Sequence, residues 1–322
     1  MDRSFIIKLL VVVVALSFVA RLFYLQLIDD HYKQAAETNV VQKIVDYPYR
    51  GLIYDRNDSL VVYNSPVFDL MVIPKEAVIT DTLAFCELLE IEKEDLEERL
   101  MKARSYSTIL ASKLVEQVSD EVFARLQDQL VHYPGFYVLP RTIRSYTTSS
   151  LANVLGYIGE VNTSYLENDT SDYYRPGDFL GIGGIEKSYE AQLRGKRGAT
   201  FKVVDVKGKI KDAYREGTYD TLPKPGANIK LTIDLDLQEY AEKLMEGKVG
   251  SLVAIEPKSG EILAFVSAPS YDPQLLSGKE LSENFPELSQ DPDKPLFNRP
   301  LQARYPPGSM FKTIQGVIAL HE

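Results

Sequence analysis

The chain of 322 residues contains very little cysteine and histidine. Its one cysteine, Cys86, excludes both an internal disulfide and a cysteine-rich zinc site. The three histidines, His31, His132 and His321, lie at spacings that match no metal-binding motif. We therefore expect no metal and no cofactor, and we expect Cys86, which has apolar neighbours, to be a buried thiol.

Basic residues are also fewer than acidic residues. The 36 lysines and arginines face 46 aspartates and glutamates, which gives a formal net charge of −10. Nucleic-acid binding needs clustered lysine and arginine against the phosphates, so this balance argues against a nucleic-acid partner. Hydrophobic residues make up 45% of the chain, which is ordinary for a protein with a buried core. The length allows about two domains at roughly 150 residues each.

The one long apolar run lies at the N-terminus, from Phe5 to Ile28. As a helix, its 24 residues (28 − 5 + 1) would extend ~36 Å, enough to cross a hydrocarbon core of ~30 Å. Arg3 and Lys8 lie at the start of the run, whereas Asp29 and Asp30 follow it. By the positive-inside rule, the N-terminus stays in the cytoplasm and the rest of the chain lies outside it.

A cleaved signal peptide is the alternative, because the charge-free centre, Leu9–Ala20, is only 12 residues long (20 − 9 + 1). Cleavage after Ala20 would place the bulky Phe18 at the −3 position, where a small residue is needed. We therefore predict that residues 1–30 are a cytoplasmic tip and a retained single-pass transmembrane anchor.

Residues 31–226 have a mixed pattern. We expect residues 31–45 to continue the helix and residues 47–74 to form short strands and turns. Residues 81–130 carry apolar side chains mainly three and four apart, which predicts mostly helix. Within that stretch, Ser119 precedes two acidic residues and is a candidate helix N-cap.

A second block begins near Asn228. Its pattern predicts a short strand followed by a helix over Leu235–Glu246. Ser251–Glu256 and Glu261–Ser267 are strand-like runs joined by a turn-forming Pro-Lys-Ser-Gly tetrapeptide. We expect this block to be the start of an α/β domain.

The candidate chemistry lies near the end of the chain, where a Tyr-Pro-Pro-Gly turn leads into Ser309-Met310-Phe311-Lys312. Apolar residues at helical spacing predict a helix that starts at Ser309, and Ser309 and Lys312 would then share one side of it. A serine nucleophile needs a neighbouring base, and a lysine buried in the helix can be that base once desolvation lowers its pKa. The alternative is a plain N-cap serine beside a solvated lysine.

Pro295–Arg299, leading into the Tyr-Pro-Pro-Gly-Ser turn, resembles the active-site entry of class B penicillin-binding proteins, and most closely that of the elongation-type members. Three earlier segments resemble the pedestal motifs of this family, in chain order Arg50–Asn57, Arg144–Gly159 and Gly184–Gly195. Leu231–Asp234 and Val253–Pro257 resemble the opening of the transpeptidase domain.

The resemblance implies a fold class of three parts. These are a single N-terminal transmembrane helix, an α+β pedestal of the dimerisation type over residues 31–226, and the start of an α/β serine transpeptidase domain over residues 227–322. The family completes its site with Ser-x-Asn and Lys-Thr/Ser-Gly motifs after the serine–lysine helix. Only ten residues (322 − 312) follow Lys312, so we expect an N-terminal fragment that is inactive alone. Ser282-Glu283-Asn284 fits the letters but precedes Ser309, and we interpret it as a coincidence.

The function that the resemblance implies is peptidoglycan D,D-transpeptidation during cell-wall elongation. Ser309 is the implied nucleophile and Lys312 the general base, with D-Ala-D-Ala stem peptides as substrates and β-lactams as inhibitors. The implied partners are a membrane glycan polymerase and elongation-complex proteins. The implied location is the inner membrane of a bacterium, with the bulk of the chain periplasmic.

Within the pedestal motifs, the resemblance makes Arg50 and Glu186 candidates for an ion pair, the alternative being two independent surface charges. The other candidate structural residues of these motifs are Gly51, Asp55, Arg56 and Gly184. The chain departs from the family at Asn153, where histidine is usual, and at Met310, where threonine is usual. We expect Asn153 to affect packing within the pedestal and Met310 to have a small effect.

Three alternatives remain open. The chain could be a non-catalytic scaffold for the cell-wall machinery. It could be a β-lactam sensor or a serine β-lactamase, which also use a serine–lysine pair, although the three pedestal motifs argue against both. The division-type paralogue is the rival within the family.

Overall fold

The structure, a computed structural model, describes residues 3–24, 41–169, 173–204 and 210–321. These residues fall into two compact units. The first combines the described residues up to Pro48 with those of Lys196–Pro225, and the second combines Tyr49–Gly195 with the described residues from Gly226 onward.

The strands, in chain order, are β1 (Val41–Asp46), β2 (Ile53–Tyr54), β3 (Leu60–Val72), β4 (Ser112–Val118), β5 (Phe136–Tyr146), β6 (Ile158–Glu160), β7 (Phe179–Gly181), β8 (Gly198–Val204), β9 (Ile210–Ala213), β10 (Ile229–Lys230), β11 (Gly250–Ile255) and β12 (Ile262–Ala268). The α-helices are α1 (Arg3–Phe23), α2 (Thr82–Leu89), α3 (Lys93–Tyr106), α4 (Asp120–Gln129), α5 (Ala152–Leu155), α6 (Thr163–Asn168), α7 (Gly184–Ser188), α8 (Glu190–Leu193), α9 (Leu235–Leu244), α10 (Glu280–Gln290), α11 (Arg299–Gln302) and α12 (Phe311–His321). Short 3₁₀ turns occupy Leu130–His132, Tyr214–Gly217, Pro273–Leu276 and Gly308–Met310.

The first unit contains helix α1 and an antiparallel sheet of three strands in the order β1–β8–β9. The register of β1 with β8 runs from Val41 opposite Val203 to Asp46 opposite Gly198. The expectation of helix over residues 31–45 was wrong from residue 41 onward, because the backbone there pairs with β8. Residues 31–40 of that expectation lie outside the described residues.

Helix α1 covers most of the predicted apolar span, whose last residues, 25–28, lie outside the described residues. Within the part of the chain that the structure describes, no helix meets the combination of length and apolar character required to cross a membrane.

The second unit is built on a sheet of five strands centred on β3. Strand β3 is 13 residues long, so it pairs with β2 near its start and with β4 near its end, and it pairs with β5 from Val62 opposite Tyr146 to Val72 opposite Phe136. Strand β10 lies parallel to β2, with Ile229 opposite Ile53. The first strand of the second sequence block is therefore an edge strand of the pedestal sheet.

The far end of β3, β4 and β5 packs with helices α2, α3 and α4 around a core that includes Leu70, Phe85, Leu96 and Leu126. Cys86 lies in this core as the predicted buried thiol, and burial raises its pKa. The predicted Ser119 N-cap is confirmed.

The expectation of mostly helix over residues 81–130 was wrong at β4. Residues 112–118 pair with β3, and the backbone N–H of Gln117 donates to the buried Asp69 carboxylate at 2.8 Å. Pairing with β3, which is distant in the sequence, determines that this segment is a strand. The spacing of its own apolar residues does not reveal that pairing.

The two sequence blocks share one hydrophobic core. Its buried residues come from both sides of position 226, namely Ile53, Val61, Val62, Leu151, Leu155, Leu193, Leu231 and Ile233. The backbones also approach closely at the junction, where a Cβ on Gly226 would lie 1.9 Å from the carbonyl oxygen of Leu193 and one on Gly51 would lie 2.0 Å from that of Ala227. Only glycine fits at either position.

The predicted hairpin of the second block is confirmed as β11 and β12, with Gly260 at φ +78° in the turn. The predicted helix is α9, which ends two residues before the expected Glu246. The short strand expected before it is limited to β10.

Truncation of the shared core should destabilise the second unit. Ile53 is fully buried, so we expect Ile53→Ala to lower the free energy of unfolding by about 2–5 kcal/mol. Leu83, which is exposed, provides the matched control, and Leu83→Ala should change it by less than about 0.5 kcal/mol. Urea denaturation followed by circular dichroism measures both, and equal effects would contradict a core at Ile53.

Candidate active site

The serine–lysine segment forms a tight turn followed by a helix. Ser309 lies in the 3₁₀ turn Gly308–Met310, and α12 begins at Phe311 rather than at Ser309 as predicted. The turn is tighter than an α-helix because the N–H of Met310 donates to the carbonyl of Pro307, three residues back, at 3.2 Å. Gly308 makes this possible with φ +54°.

The expectation that Lys312 is buried was wrong for this structure. All side chains from Arg304 to His321 are exposed, which includes both Ser309 and Lys312. The apolar side chains of α12 are exposed as well, because no other described element packs on them. The sequence spacing thus places the serine and the lysine on one helical turn, while the described residues supply none of the desolvation that a lysine base requires.

The segment that leads to Ser309 is fixed at its start. Arg299 is buried, and its guanidinium donates to the carbonyls of Asp293 at 2.5 Å and Lys294 at 3.2 Å. The hydroxyl of Ser267, on β12, donates to the carbonyl of Phe297 at 2.9 Å and accepts from the N–H of Arg299 at 3.1 Å. Residues 293–299 are therefore held in a loop by the hydrogen bonds of Arg299, and Ser267 attaches this loop to β12.

The same segment is also tied to the pedestal through Asn153. The Asn153 side-chain amide donates to the carbonyl of Pro295 at 3.1 Å, and the Asn298 amide donates to the carbonyl of Asn153 at 3.1 Å. We expected Asn153 to affect packing within the pedestal, and both of these hydrogen bonds join it to the second sequence block as well. Asn153 and Pro295 are 142 positions apart in the sequence, so their contact could not be predicted from local patterns.

The predicted ion pair between Arg50 and Glu186 is present. The Arg50 Nε donates to Glu186 Oε2 at 2.6 Å, and the Arg50 guanidinium also donates to both carboxylate oxygens of Glu190, at 3.1 and 2.5 Å. The alternative of two independent surface charges is wrong, because Glu186 is 0% exposed.

Arg144 is the partner that the sequence analysis missed. Its Nε donates to Glu186 Oε1 at 2.8 Å, so the two oxygens of one carboxylate bind arginines from two other motifs. Asn64 completes the link, since it donates to the carbonyl of Arg50 at 2.6 Å and accepts from Arg144 at 3.0 Å. The available signal was the position of Arg144 at the start of the second pedestal motif.

Burial and charge act in opposite directions on this cluster. Burial alone lowers the pKa of Arg50, but the charge of Glu186 and the hydrogen bond to Glu190 raise it above its ordinary value. For Arg144, burial dominates and the pKa is lowered. Burial raises the pKa of Glu190, yet its hydrogen bonds and charge contact with Arg50 hold the pKa below its ordinary value. These opposed effects mark a compensated group of buried charges.

The remaining predicted pedestal residues have structural contacts. Asp55 is buried and accepts from the N–H groups of Asn57 at 2.8 Å and Ser59 at 2.7 Å. Burial alone raises the pKa of Asp55, but these backbone donors have the larger combined effect and hold the pKa below its ordinary value. The Arg56 side chain forms a long, partly exposed ion pair with Glu261 at 3.5 Å, and its backbone N–H donates to the carbonyl of Ile233 at 2.9 Å.

Gly184 has φ +54°, and a Cβ there would lie 2.3 Å from the carbonyl oxygen of Val154. Ser282 and Asn284 lie on α10, where Ser282 donates to the carbonyl of Lys279, and Asn284 donates to those of Leu275 and Glu280. Both side chains thus serve local backbone groups. A cleft of about 880 Å³ lies beside α9, lined by Thr147–Ser150 among others, and neither Ser309 nor Lys312 lines it.

Two family models match this chain. The penicillin-binding protein dimerisation domain matches residues 45–231, and the penicillin-binding protein transpeptidase domain matches residues 250–322. The chain is 32% identical to the peptidoglycan D,D-transpeptidase MrdA of Acinetobacter baumannii, over 99% of this chain and 48% of that protein. It is also 32% identical to MrdA of Escherichia coli K12, over 94% of this chain and 48% of that protein.

A solved structure is similar as well. The complex between a penicillin-binding protein (PBP2) and MreC from Helicobacter pylori matches with a TM-score of 0.72 and 27% identity, over 88% of this chain and 53% of that chain. The chain therefore spans about half the length of the relatives it matches.

The buried carboxylate of Glu186 should be essential for stability. Glu186→Gln keeps the shape but leaves Arg50 and Arg144 without the charge of their shared partner, and we expect a loss of about 3–5 kcal/mol in the free energy of unfolding. The control is Glu98→Gln, which removes an exposed pair with Lys102 and should change it by at most about 1 kcal/mol. A Glu186→Gln protein as stable as the control would contradict the cluster, as measured by urea denaturation.

The contact between Arg50 and Glu190 should make stability depend on pH. Because the pKa of Glu190 is held below the ordinary value of 4.5, its contribution is present above that pH and is lost as the pH falls through the folded-state pKa. We expect Glu190→Gln to be less stable than the unchanged protein at about pH 6, with the difference shrinking toward about pH 3. A difference that stays constant across this range would contradict the assignment.

Proposed function

The chain belongs to the penicillin-binding proteins in which a dimerisation domain precedes a transpeptidase domain, and on this premise we propose that the protein is a peptidoglycan D,D-transpeptidase of cell-wall elongation. The observation that carries the proposal is the position of Ser309, in a tight turn, and of Lys312, in the helix that follows, inside the region that matches the transpeptidase model. Relatives named as D,D-transpeptidases, at 32% identity over nearly the whole chain, support it.

The proposed reaction is acyl transfer through a serine ester. The Ser309 hydroxyl attacks the carbonyl of the penultimate D-alanine of a stem peptide, and Lys312 takes the hydroxyl proton. The peptide bond breaks, the proton passes to the departing amine, and D-alanine leaves. An amine of a neighbouring stem peptide then attacks the ester carbonyl, the ester bond breaks, and one amine proton passes to the Ser309 oxygen, which restores the serine hydroxyl and completes the cross-link. Proton transfer to a base of this kind contributes about 10²–10⁴-fold.

β-Lactams fit the same reaction as inhibitors. Their strained amide presents a carbonyl to Ser309. When the ring C–N bond breaks, the amine that would otherwise depart stays attached to the acyl-enzyme. The ester then persists, in contrast to a serine β-lactamase, which hydrolyses it. A stable adduct therefore separates the transpeptidase from the β-lactamase alternative.

We place the protein at the inner membrane of a bacterium, with a single-pass anchor over residues 5–28. The apolar sequence of this run supports the placement, as do the exposed apolar side chains of α1, namely Leu9, Leu10, Val12, Val13, Val14, Leu16, Phe18, Val19, Leu22 and Phe23. The basic residues at its start favour a cytoplasmic N-terminus and a periplasmic pedestal.

The proposed partners are a membrane glycan polymerase and proteins of the elongation complex. Support comes from the similar Helicobacter pylori protein, whose solved complex contains MreC. We propose that the pedestal, residues 31–226, carries these contacts and that residues 227–322 carry the chemistry.

A non-catalytic scaffold is the second candidate. The exposure of Ser309 and Lys312 favours it, because a serine and a lysine in water have no special reactivity. This candidate keeps the anchor, the pedestal and the partners, and it differs from the enzyme in one measurable property, which is acylation by penicillin.

Ser309→Ala should abolish labelling of the whole protein by a fluorescent penicillin, because the ester oxygen is removed. Gel fluorescence after brief incubation and denaturation measures the covalent adduct. Ser282→Ala is the matched control, and it should be labelled like the unchanged protein because the Ser282 hydroxyl donates to the backbone carbonyl of Lys279, just before α10.

Two results would count against this function. Undiminished labelling of Ser309→Ala would exclude Ser309 as the nucleophile. No labelling of the unchanged, folded protein would favour the scaffold.

A further inference from the structure

Asn153 holds the segment that precedes the nucleophile against the pedestal. The side-chain amide of Asn153 donates to the backbone carbonyl of Pro295 at 3.1 Å, and the backbone carbonyl of Asn153 accepts from the side-chain amide of Asn298 at 3.1 Å. We infer that Asn153 is a positioning residue for Ser309, acting through residues 295–298. This inference rests on the proposed function, since it assigns Asn153 a role in the acylation of Ser309.

Asn153 is well placed to fix another segment because its own helix is rigidly held. Its neighbours Leu151, Ala152 and Leu155 are buried, two of them in the core shared by the two sequence blocks. The N–H of Leu151 also donates to the carboxylate of Glu242, on α9, at 2.9 Å. The Asn153 side chain therefore belongs to a short helix, α5, that is held by the shared core and by the hydrogen bond to Glu242.

The receiving segment has two attachments, one to β12 and one to the pedestal. Asn298 Oδ1 is buried and has no hydrogen-bond partner among the described residues, so the amide nitrogen is the group that orients this side chain. Next to it, Arg299 and Ser267 tie the chain to β12. Asn153 attaches the same segment to the pedestal. The hydrogen bonds of Ser267 and those of Asn153 thus hold the segment to two different elements.

The position of Ser309 depends on this segment. After α11, which ends at Gln302, the side chains from Arg304 onward are exposed, so the last buried attachment before the nucleophile is at Arg299. Because the Tyr-Pro-Pro-Gly turn and Ser309 continue from this segment through α11, a displacement of residues 295–299 would change where Ser309 lies. Misplacement of a reacting group by about 1 Å lowers a rate by up to about 10²-fold.

The test is the kinetics of acylation of the whole protein by benzylpenicillin in excess. The dependence of the rate on penicillin concentration separates the dissociation constant of the first complex from the acylation rate constant. Because each molecule reacts once, the rate constant does not depend on how much of the protein is folded. We expect Asn153→Leu, which removes the amide donor, to lower the acylation rate constant about tenfold or more.

Two variants show whether the hydrogen bond is responsible. Asn153→His restores an N–H donor and should recover most of the rate constant. Asn168→Leu is the matched control, because Asn168 is an exposed pedestal asparagine whose amide donates to the carbonyl of Ser164 within α6. Its rate constant should equal that of the unchanged protein.

The outcomes are distinct. No acylation of the unchanged protein would defeat the proposed function. With normal acylation of the unchanged protein, an unaltered rate constant in Asn153→Leu would overturn the positioning role. A loss in Asn153→Leu that Asn153→His does not recover would overturn it too, because the lost hydrogen bond would not be the cause.

Discussion

The arrangement of the pedestal depends on one buried carboxylate. Glu186 is removed from water and binds Arg50 through one oxygen and Arg144 through the other. A buried carboxylate without partners would be strongly unfavourable. The segments that carry Arg50, Arg144 and Glu186 must therefore be in contact whenever the chain is folded. Glu190 binds Arg50 and Asn64 binds Arg144, which extends the network, whereas Nη2 of Arg144 is buried without a hydrogen-bond partner among the described residues.

This constraint extends into the second sequence block because the blocks share a sheet and a core. Strand β10 pairs with β2, three residues from Arg50, and the apolar residues of both blocks pack together. From there, Asn153 on α5 donates to the carbonyl of Pro295, in the segment that leads to Ser309. Residues 49–195 of the pedestal and the residues from Gly226 onward therefore belong to one folded body, the second unit.

Local features of the fold could be predicted from the sequence, whereas features set by distant contacts could not. The hairpin β11–β12, helix α9 and the Ser119 cap depend on neighbouring residues, and their patterns are sufficient. Strand β4 was missed because its pairing with β3 overrides a helical spacing. In the site, spacing located Ser309 and Lys312, but it could not show their exposure or the contact of Asn153. The partner Arg144 needed three-dimensional contact to be recognised.

The central claim is that Ser309 is the nucleophile of an acyl-transfer enzyme built on this pedestal. The most direct measurement is mass spectrometry of the whole protein after reaction with benzylpenicillin, followed by trypsin digestion. Cleavage after Arg304 and Lys312 releases the peptide Tyr305–Lys312, which contains one serine. We predict that the penicilloyl mass is found on this peptide and on Ser309 within it. An unmodified peptide Tyr305–Lys312 from protein that carries the adduct elsewhere would contradict the account.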